Sequence, residues 1–266
     1  MKDFSGKENY RDFGNLKTRK NFYSKYCNPL INSKEEVFKL LNIKGNEKIL
    51  DVCCGNGDFL AYIEDKGCSG EMIGVDISKG MIEEAKKLNI DKPISFITAN
   101  AEDLPFINEC FDIVVCKHIL YHLNSIEKGI NEIYRVLKNG GYLCVTLNCM
   151  YGRENIENFK RIIANSIKNN NFLDNNKRIN FENYNSFISG FNILREIKLH
   201  RYLELEDPEP IVEYLNSFRG FWQPLPPDEA WYKALKIIKE EIIKIIQKEE
   251  KFKADLAFGM ILLQKI

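Results

Sequence analysis

Residues 48–67 read KILDVCCGNGDFLAYIEDKG. Ile49, Leu50 and Val52 make a short apolar run around Asp51, two cysteines and two glycines follow, and from Asp58 onward apolar residues recur at helical spacing. A buried strand that turns on glycines directly into an amphipathic helix opens a strand-helix-strand unit. Outward from this stretch the order repeats. GEMIGVDI (70–77), PISFITAN (93–100) and FDIVVC (111–116) read as short buried strands, and SKGMIEEAKKLN (78–89) and SIEKGINEIYRVLKN (125–139) as amphipathic helices. Strands alternating with helices predict a Rossmann-like, doubly wound, mostly parallel α/β sheet with helices on both faces.

The flanks predict the rest of the organisation. Residues 1–32 read as an N-terminal arm over the ligand site. Ser33 opens SKEEVFKLL with Glu36 three residues on, a capping-box pattern that predicts a helix. Residues 33–150 make the ligand-binding core, closed by a fifth strand, GGYLCVTLNC (140–149). The Asn-rich segment 151–190 is long for a crossover, and such insertions at the carboxyl edge of a sheet act as lids. Residues 191–266 return to the sheet and carry acceptor-site helices: a strand at FNILREIKLHRYLEL (191–205), helices at PEPIVEYLNSF (208–218) and DEAWYKALKIIKEEIIKIIQKEE (228–250), and a last strand at AFGMILLQKI (257–266).

Composition excludes several classes. Among 266 residues Lys+Arg and Asp+Glu are both 38, so no global field concentrates a nucleic acid. The N-terminus lacks an apolar signal region and no run is long enough to span a bilayer, so a soluble cytoplasmic protein without a membrane partner is expected. Cys53, Cys54, Cys110, Cys116, Cys144 and Cys149 lie in or beside apolar runs, where cysteine packs as a small hydrophobe. No CxxC occurs, and His118, His122 and His200 form no ligand pattern with the thiols, so no metal site is expected.

Gly55 and Gly57 sit between strand and helix, where a missing side chain lets backbone approach a ligand. Asp76 closes the second strand 19 residues after Gly57, near the spacing of about 20 at which an acid meets ribose hydroxyls. The same frame serves dinucleotides and S-adenosylmethionine. A dinucleotide loop requires a third glycine three positions on, and Leu60 stands there instead.

Five ordered motifs carry the decision: DVCCGNG (51–57), VDIS (75–78), NAEDLPF (100–106), FDIVVCKHILYHL (111–123) and RVLKNGG (135–141). Over Lys48 to Val145 the chain resembles the class I S-adenosylmethionine-dependent methyltransferases of the ubiquinone and menaquinone methyltransferase-like branch, whose motifs read DxGCGxG, VDxS, DAExLPF, FDxVxSxxxLHHL and RVLKPGG. The resemblance implies seven strands, the last antiparallel, and S-adenosylmethionine as cofactor. It implies that Asp51, Gly55, Asn56 and Gly57 border the methionine moiety, that Asp76 binds the ribose and Ile77 the adenine, and that Cys53 and Met81 belong to the same site. Asn100 stands where the family has Asp near the adenine amino group, Ala101 and Glu102 supply adjacent contacts, and Cys116 and Lys117 close the site with main chain. Asp76 has a second reading as the N-cap of the helix that follows it.

An acceptor that loses a proton needs a base within hydrogen-bond reach. His118, Tyr121 and His122 follow the fourth strand and are the candidates, as bases or, for Tyr121, a positioning hydroxyl. Glu204, with Glu206 and Asp207, would favour a cationic acceptor at the sheet edge, and Phe218, Arg219, Phe221 and Trp222 could wall an apolar acceptor pocket. The expected function is methyl transfer to oxygen or nitrogen of a small molecule. Alternatives are methylation of a tRNA, peptide or protein, or a non-catalytic S-adenosylmethionine-binding protein. The YDxMN-like signature of menaquinone and ubiquinone methyltransferases is absent, and CKHI (116–119) replaces the NPPY of base and glutamine N-methyltransferases. Cys116 lacks the neighbouring proline of the RNA cytosine enzymes and reads as packing.

Overall fold

The computed structural model describes residues 14–150, 154–170 and 175–266. The first 13 residues of the expected arm, and 151–153 and 171–174 of the expected insertion, lie outside them. Helix α1 (Gly14–Tyr26) leads through β1 (Cys27–Asn28) to α2 (Ser33–Leu41), then β2 (Ile49–Val52), α3 (Asp58–Asp65), β3 (Met72–Asp76), α4 (Lys79–Leu88) and β4 (Ile94–Thr98) follow. The core continues with β5 (Phe111–Lys117), a 3-10 turn at Leu120–His122, α5 (Ile126–Val136) and β6 (Leu137–Asn148). After these come α6 (Glu154–Ile167), α7 (Asn175–Arg178), β7 (Phe191–Leu199), β8 (Tyr202–Leu205), α8 (Glu209–Asn216), α9 (Asp228–Glu249), β9 (Phe252–Asp255) and β10 (Phe258–Lys265).

Seven strands form one sheet in the order β4-β3-β2-β5-β6-β10-β7, parallel except for β10, which runs antiparallel to both β6 and β7. The fold is the Rossmann-like sheet that the strand-helix alternation predicts. β2 lies at its centre with every residue buried, Leu50 opposite Ile73 on β3 and Val114 on β5. Residues 93–100 differ from the expected buried strand. β4 is an edge strand on which only Phe96 is buried: helix α4 packs against it, and Ser95, Ile97 and Thr98 stay exposed among the described residues.

Two local expectations change. Ser33 is the first helical residue of α2, and the cap is Asn32, whose side chain accepts from the N–H of Glu35. The segment 191–205 is two strands rather than one. β7 ends at Leu199, and β8 leaves for a separate antiparallel sheet of order β1-β8-β9. The break lies at His200 and Arg201, where the N–H of Leu256 donates to the Arg201 carbonyl at 2.8 Å.

The small sheet and helices α1, α6, α8 and α9 enclose a core of their own, centred on Trp222, Trp231, Phe252 and Ile211, and this cap faces the carboxyl ends of the parallel strands. α9 turns Trp231, Ala234, Leu235, Ile238 and Ile242 inward at spacings of three and four and leaves its lysines to solvent. The described residues of the insertion 151–190 divide between two cores. Its helix α6 joins the cap, while Ile179, Tyr184 and Ile188 pack into the core of the main sheet.

Candidate active site

A cavity of about 680 Å³ opens between the carboxyl ends of β2, β3, β5 and β6 and the cap. Its floor is the glycine loop. Cys53, Gly55 and Gly57 all have left-handed backbone, with φ of 58°, 58° and 74°. Cys53 thus carries a side chain in a conformation that favours glycine, at a cost of about 1–2 kcal/mol, and this explains why glycine suits the position better.

The two glycines do different work. Gly55 lines the cavity and donates its N–H to Asp76 Oδ2 at 3.1 Å. Gly57 does not line it. A Cβ there would stand 2.5 Å from the Phe96 ring, so this glycine lets loop and β4 pack. Gly57→Ala is expected to cost about 2–4 kcal/mol from left-handed strain and overpacking together, and Gly55→Ala, whose Cβ would meet only Met81 and Leu16 side-chain ends at 3.3 and 3.6 Å, about 1 kcal/mol. Urea unfolding of both variants checks the order.

Asp76 ends β3 and takes part in the cavity wall. It is not the cap of α4. Ser78 is, accepting from the Met81 N–H, while Asp76 accepts from Gly55 and Ser78. Burial raises its pKa, and the N–H groups of Ser78, Gly55 and Ile77 oppose that. Asp51 is 1% exposed on β2 between Gly74 and Val115, and neither carboxylate oxygen has a hydrogen-bond partner. Burial pushes it up to about 7, with Lys117 opposing and Asp58 and Asp76 adding to the rise. Asp58, first residue of α3, contrasts with it. Burial alone would raise its carboxyl, yet Lys117, Lys20 and Lys34 together hold it at about 2. Lys20 reaches down from α1 to Asp58 Oδ2 at 2.6 Å and to Asn56 Oδ1 at 3.1 Å.

The other predicted cofactor positions divide. Asp51 is buried on β2 outside the lining, while Cys53, Asn56, Ile77, Met81 and Lys117 line the cavity with Asp76 and Gly55. Asn100, Ala101 and Glu102 do not. Asn100 Oδ1 accepts from the Glu102 N–H, Glu102 Oε1 accepts from the Asn124 N–H at 2.7 Å, and Ala101 is buried in the core. Cys116 is buried in β5 outside the cavity lining. Burial raises the thiols of Cys53, Cys54 and Cys116 and pushes Cys144 up to about 12, which keeps them protonated and poor nucleophiles.

After β5 the chain presents His118, Tyr121 and His122 to the cavity. His118 has left-handed backbone at φ 54°, its N–H donates to both the carbonyl and the hydroxyl of Thr146 at 3.0 Å, and its ring meets the edge of Phe258 at 5.4 Å. His122 is stacked on Phe221 at 4.8 Å and 5°. Arg178 holds this turn, donating to the carbonyls of Leu123 and Asn124 at 2.6 and 2.9 Å.

On the acceptor side Phe218 and Phe221 line the cavity. Three predicted positions do not. Glu204 lies on β8 within 3.8 Å of Lys251, because the chain leaves the main sheet before reaching it. Trp222 is fully buried in the cap, and Arg219 is turned to the Pro226 carbonyl at 2.6 Å and to Asp228. The structure brings in side chains that no motif marks: Arg19, Tyr23, Lys160, Arg201 and Tyr214. Tyr23 and Tyr214 join hydroxyls at 2.7 Å, and Arg19 donates to the Ser217 carbonyl at 2.8 Å, so α1 is tied to α8 across the cavity mouth.

Among the described residues no group of three or more His, Cys, Asp or Glu side chains could hold a metal ion, and no helix is long and apolar enough to cross a membrane. Residues 50–145 match the methyltransferase domain family. That match, on this fold, supports a class I methyltransferase reading of residues 50–145. It is 34% identical over 133 residues to the demethylmenaquinone methyltransferase of Oceanobacillus iheyensis, covering 46% of this chain and 56% of that protein. It is 35% identical over 108 residues to the ubiquinone/menaquinone biosynthesis C-methyltransferase UbiE of Haemophilus ducreyi, covering 39% and 42%. The chain thus spans about half the length of the curated relatives it matches. A crystal structure from Bacillus halodurans superposes with TM-score 0.64 at 18% identity, covering 88% of this chain and 99% of that one, and shares the fold.

The methyltransferase domain and its fold imply S-adenosylmethionine, and the residues present fit it. Asp51 is a buried carboxylate without a partner, suited to the cofactor's ammonium. Asp76 offers a carboxylate to the ribose, while Lys20, Lys34 and Lys117 supply positive charge beside the same loop.

Proposed function

We propose that this protein transfers the methyl group of S-adenosylmethionine to oxygen or nitrogen of a small molecule held under the cap. The observation that carries the proposal is the unpartnered carboxylate of Asp51 behind the glycine loop. A buried carboxylate without a hydrogen bond is costly, and a cationic ligand relieves that cost. When bound, the cofactor supplies an electrophilic sulfonium methyl. The chain's own residues then exclude water and aim the acceptor.

His118 is the best-placed general base. It faces the cavity, and its strained backbone is held by two hydrogen bonds to Thr146, the kind of strain that accumulates where geometry serves function. Stacking on Phe221 suits His122 to positioning instead. The aromatic walls that the cap sets over the cavity support a small acceptor over a tRNA or protein. A carbon acceptor is a second reading, favoured by the relative whose name specifies a C-methyltransferase. Deprotonation of a hydroxyl conjugated with that carbon would use the same base.

Calorimetry is expected to show one S-adenosylmethionine per chain, and incubation with a panel of phenols and amines to yield S-adenosylhomocysteine. No binding would remove the proposal. His118→Asn, which tolerates left-handed backbone, is expected to lower turnover about 100-fold or more with cofactor affinity within about twofold of wild type. Wild-type turnover in that variant would clear His118 of the role.

A further inference from the structure

The carboxyl edge of β7 brings the cavity a cation where acidic residues are expected from the sequence. Arg201 follows β7 by two residues, is 8% exposed and lines the cavity. Its Nε donates to the Leu256 carbonyl at 3.1 Å, and its guanidinium lies 3.8 Å from the Tyr23 ring centroid and 5.1 Å from that of Phe258. Its two terminal amino groups have no acceptor or ion-pair partner among the described residues. With the stem buried and Nε already bonded, the fork is the part of Arg201 left for the cavity, where an anion can meet both amino groups.

The surroundings fit an anion too. Arg19 lines the same side with Tyr23, Tyr214, Phe218 and Phe221; Lys160 beside them already meets Glu157 at 2.7 Å, and the described lining there holds no carboxylate. The two acids that do line the cavity, Asp58 and Asp76, belong to the glycine-loop side, and Lys20 already meets Asp58. The Phe258 ring touched by Arg201 also meets the edge of His118, so the fork and the proposed base stand on one ring.

We propose that Arg201 anchors an anionic group of the methyl acceptor, a carboxylate or a phosphate, so that the acceptor is an acidic small molecule with an apolar or aromatic body. The inference rests on the methyltransferase reading above, which places an acceptor in this cavity. The planar fork grips two oxygens of the anion, the aromatic walls cover the body, and the nucleophilic atom is left toward His118.

The test is calorimetry on the full chain saturated with S-adenosylhomocysteine, titrated with 4-hydroxybenzoate, phenyl phosphate and the neutral 4-hydroxybenzamide. At least one anion is expected to bind about tenfold or more tighter than the amide, and the tighter of the two identifies the head group. Arg201→Met is expected to remove that preference, and Arg201→Lys, which keeps the charge and loses the fork, to recover only part of it. Equal binding of the amide, no binding of either anion at millimolar concentration, or full anion affinity in Arg201→Met overturns the proposal. So does an equal loss of S-adenosylhomocysteine affinity in Arg201→Met, since the anion met by the fork would then be the cofactor's own carboxylate. If Arg201→Met does not fold, the comparison of anion with amide and the Arg201→Lys titration still decide. Failure of wild type to bind S-adenosylhomocysteine would count against the methyltransferase reading alone, because the anion titrations repeated without cofactor answer for Arg201 separately.

Discussion

Asp76→Ala is expected to weaken S-adenosylmethionine binding by about 100-fold while the chain stays folded. Charge-assisted hydrogen bonds from two ribose hydroxyls to one carboxylate contribute about 1.5–3 kcal/mol each, and a loss of about 2.7 kcal/mol is two decades in affinity. The side chain also accepts from the N–H groups of Gly55 and Ser78, so part of the loss comes through a looser glycine loop. Asp76→Asn separates the two contributions. It retains an acceptor oxygen for one N–H but not the charge, and is expected to recover the loop's order more than the affinity. Calorimetric affinity unchanged in Asp76→Ala would remove the ribose assignment, and thermal melting of the same samples checks the fold.

Asp51 is expected to make the protein's stability without cofactor fall as pH rises from about 4 to about 7. Burial holds its folded pKa at about 7 against an ordinary value of 3.8. Between those values the folded chain holds a proton that the unfolded chain has released, so unfolding free energy declines with pH, by at most about 1.4 kcal/mol per pH unit. Above about pH 7 both states are ionised, and the full penalty, on the order of 4 kcal/mol, is in place. Asp76, also raised by burial, acts in the same direction. Asp58 acts the opposite way and outside this window. Held at about 2, it contributes stability that is lost only as pH falls from about 4 through about 2.

The cofactor's ammonium would favour the charged form of Asp51 and pull its pKa down. S-adenosylmethionine binding at pH 6 is therefore expected to release up to about one proton, visible as a binding enthalpy that changes with the ionisation enthalpy of the buffer. Asp51→Asn is expected to flatten the decline in stability between pH 4.5 and 7, to remove the proton release, and to weaken binding by about tenfold or more. A binding enthalpy that is the same in all buffers would show that Asp51 does not meet the ammonium.

The cofactor half of the site was legible because it is local in the chain. Strand β2, its loop and helix α3 form one continuous segment, and the end of β3 lies one crossover away, so the positions of Asp51, Gly55 and Asp76 follow from spacing and period, and the roles proposed for them draw on the resemblance as well. What spacing did not reveal is which glycine faces the ligand. Gly57 answers to Phe96, a residue on an edge strand 39 positions later, and only the paired sheet brings them together. Asn100 to Glu102 lie outside the cavity lining for a related reason: their polar groups turn to nearby backbone, including the turn at Asn124.

In the acceptor half Phe218 and Phe221 line the cavity, and Glu204, Arg219 and Trp222 do not. Glu204 looked like an edge residue because a single strand over 191–205 would have carried it there, and the break at His200 and Arg201 leaves no periodic signature strong enough to see. By itself the sequence determined the parallel sheet and set Asp51, Gly55 and Asp76 at the ends of its first two strands, since each follows from hydrophobic period and turn chemistry within a few tens of residues, while the antiparallel closing strand was an expectation of the family resemblance alone. Only the tertiary structure decided what stands opposite the methyl group. Arg19 and Tyr23 from α1, Lys160 from α6, Arg201 after β7 and Phe221 after α8 meet solely because the cap folds over the sheet edge, and no short-range pattern records a contact between residues so far apart in the chain.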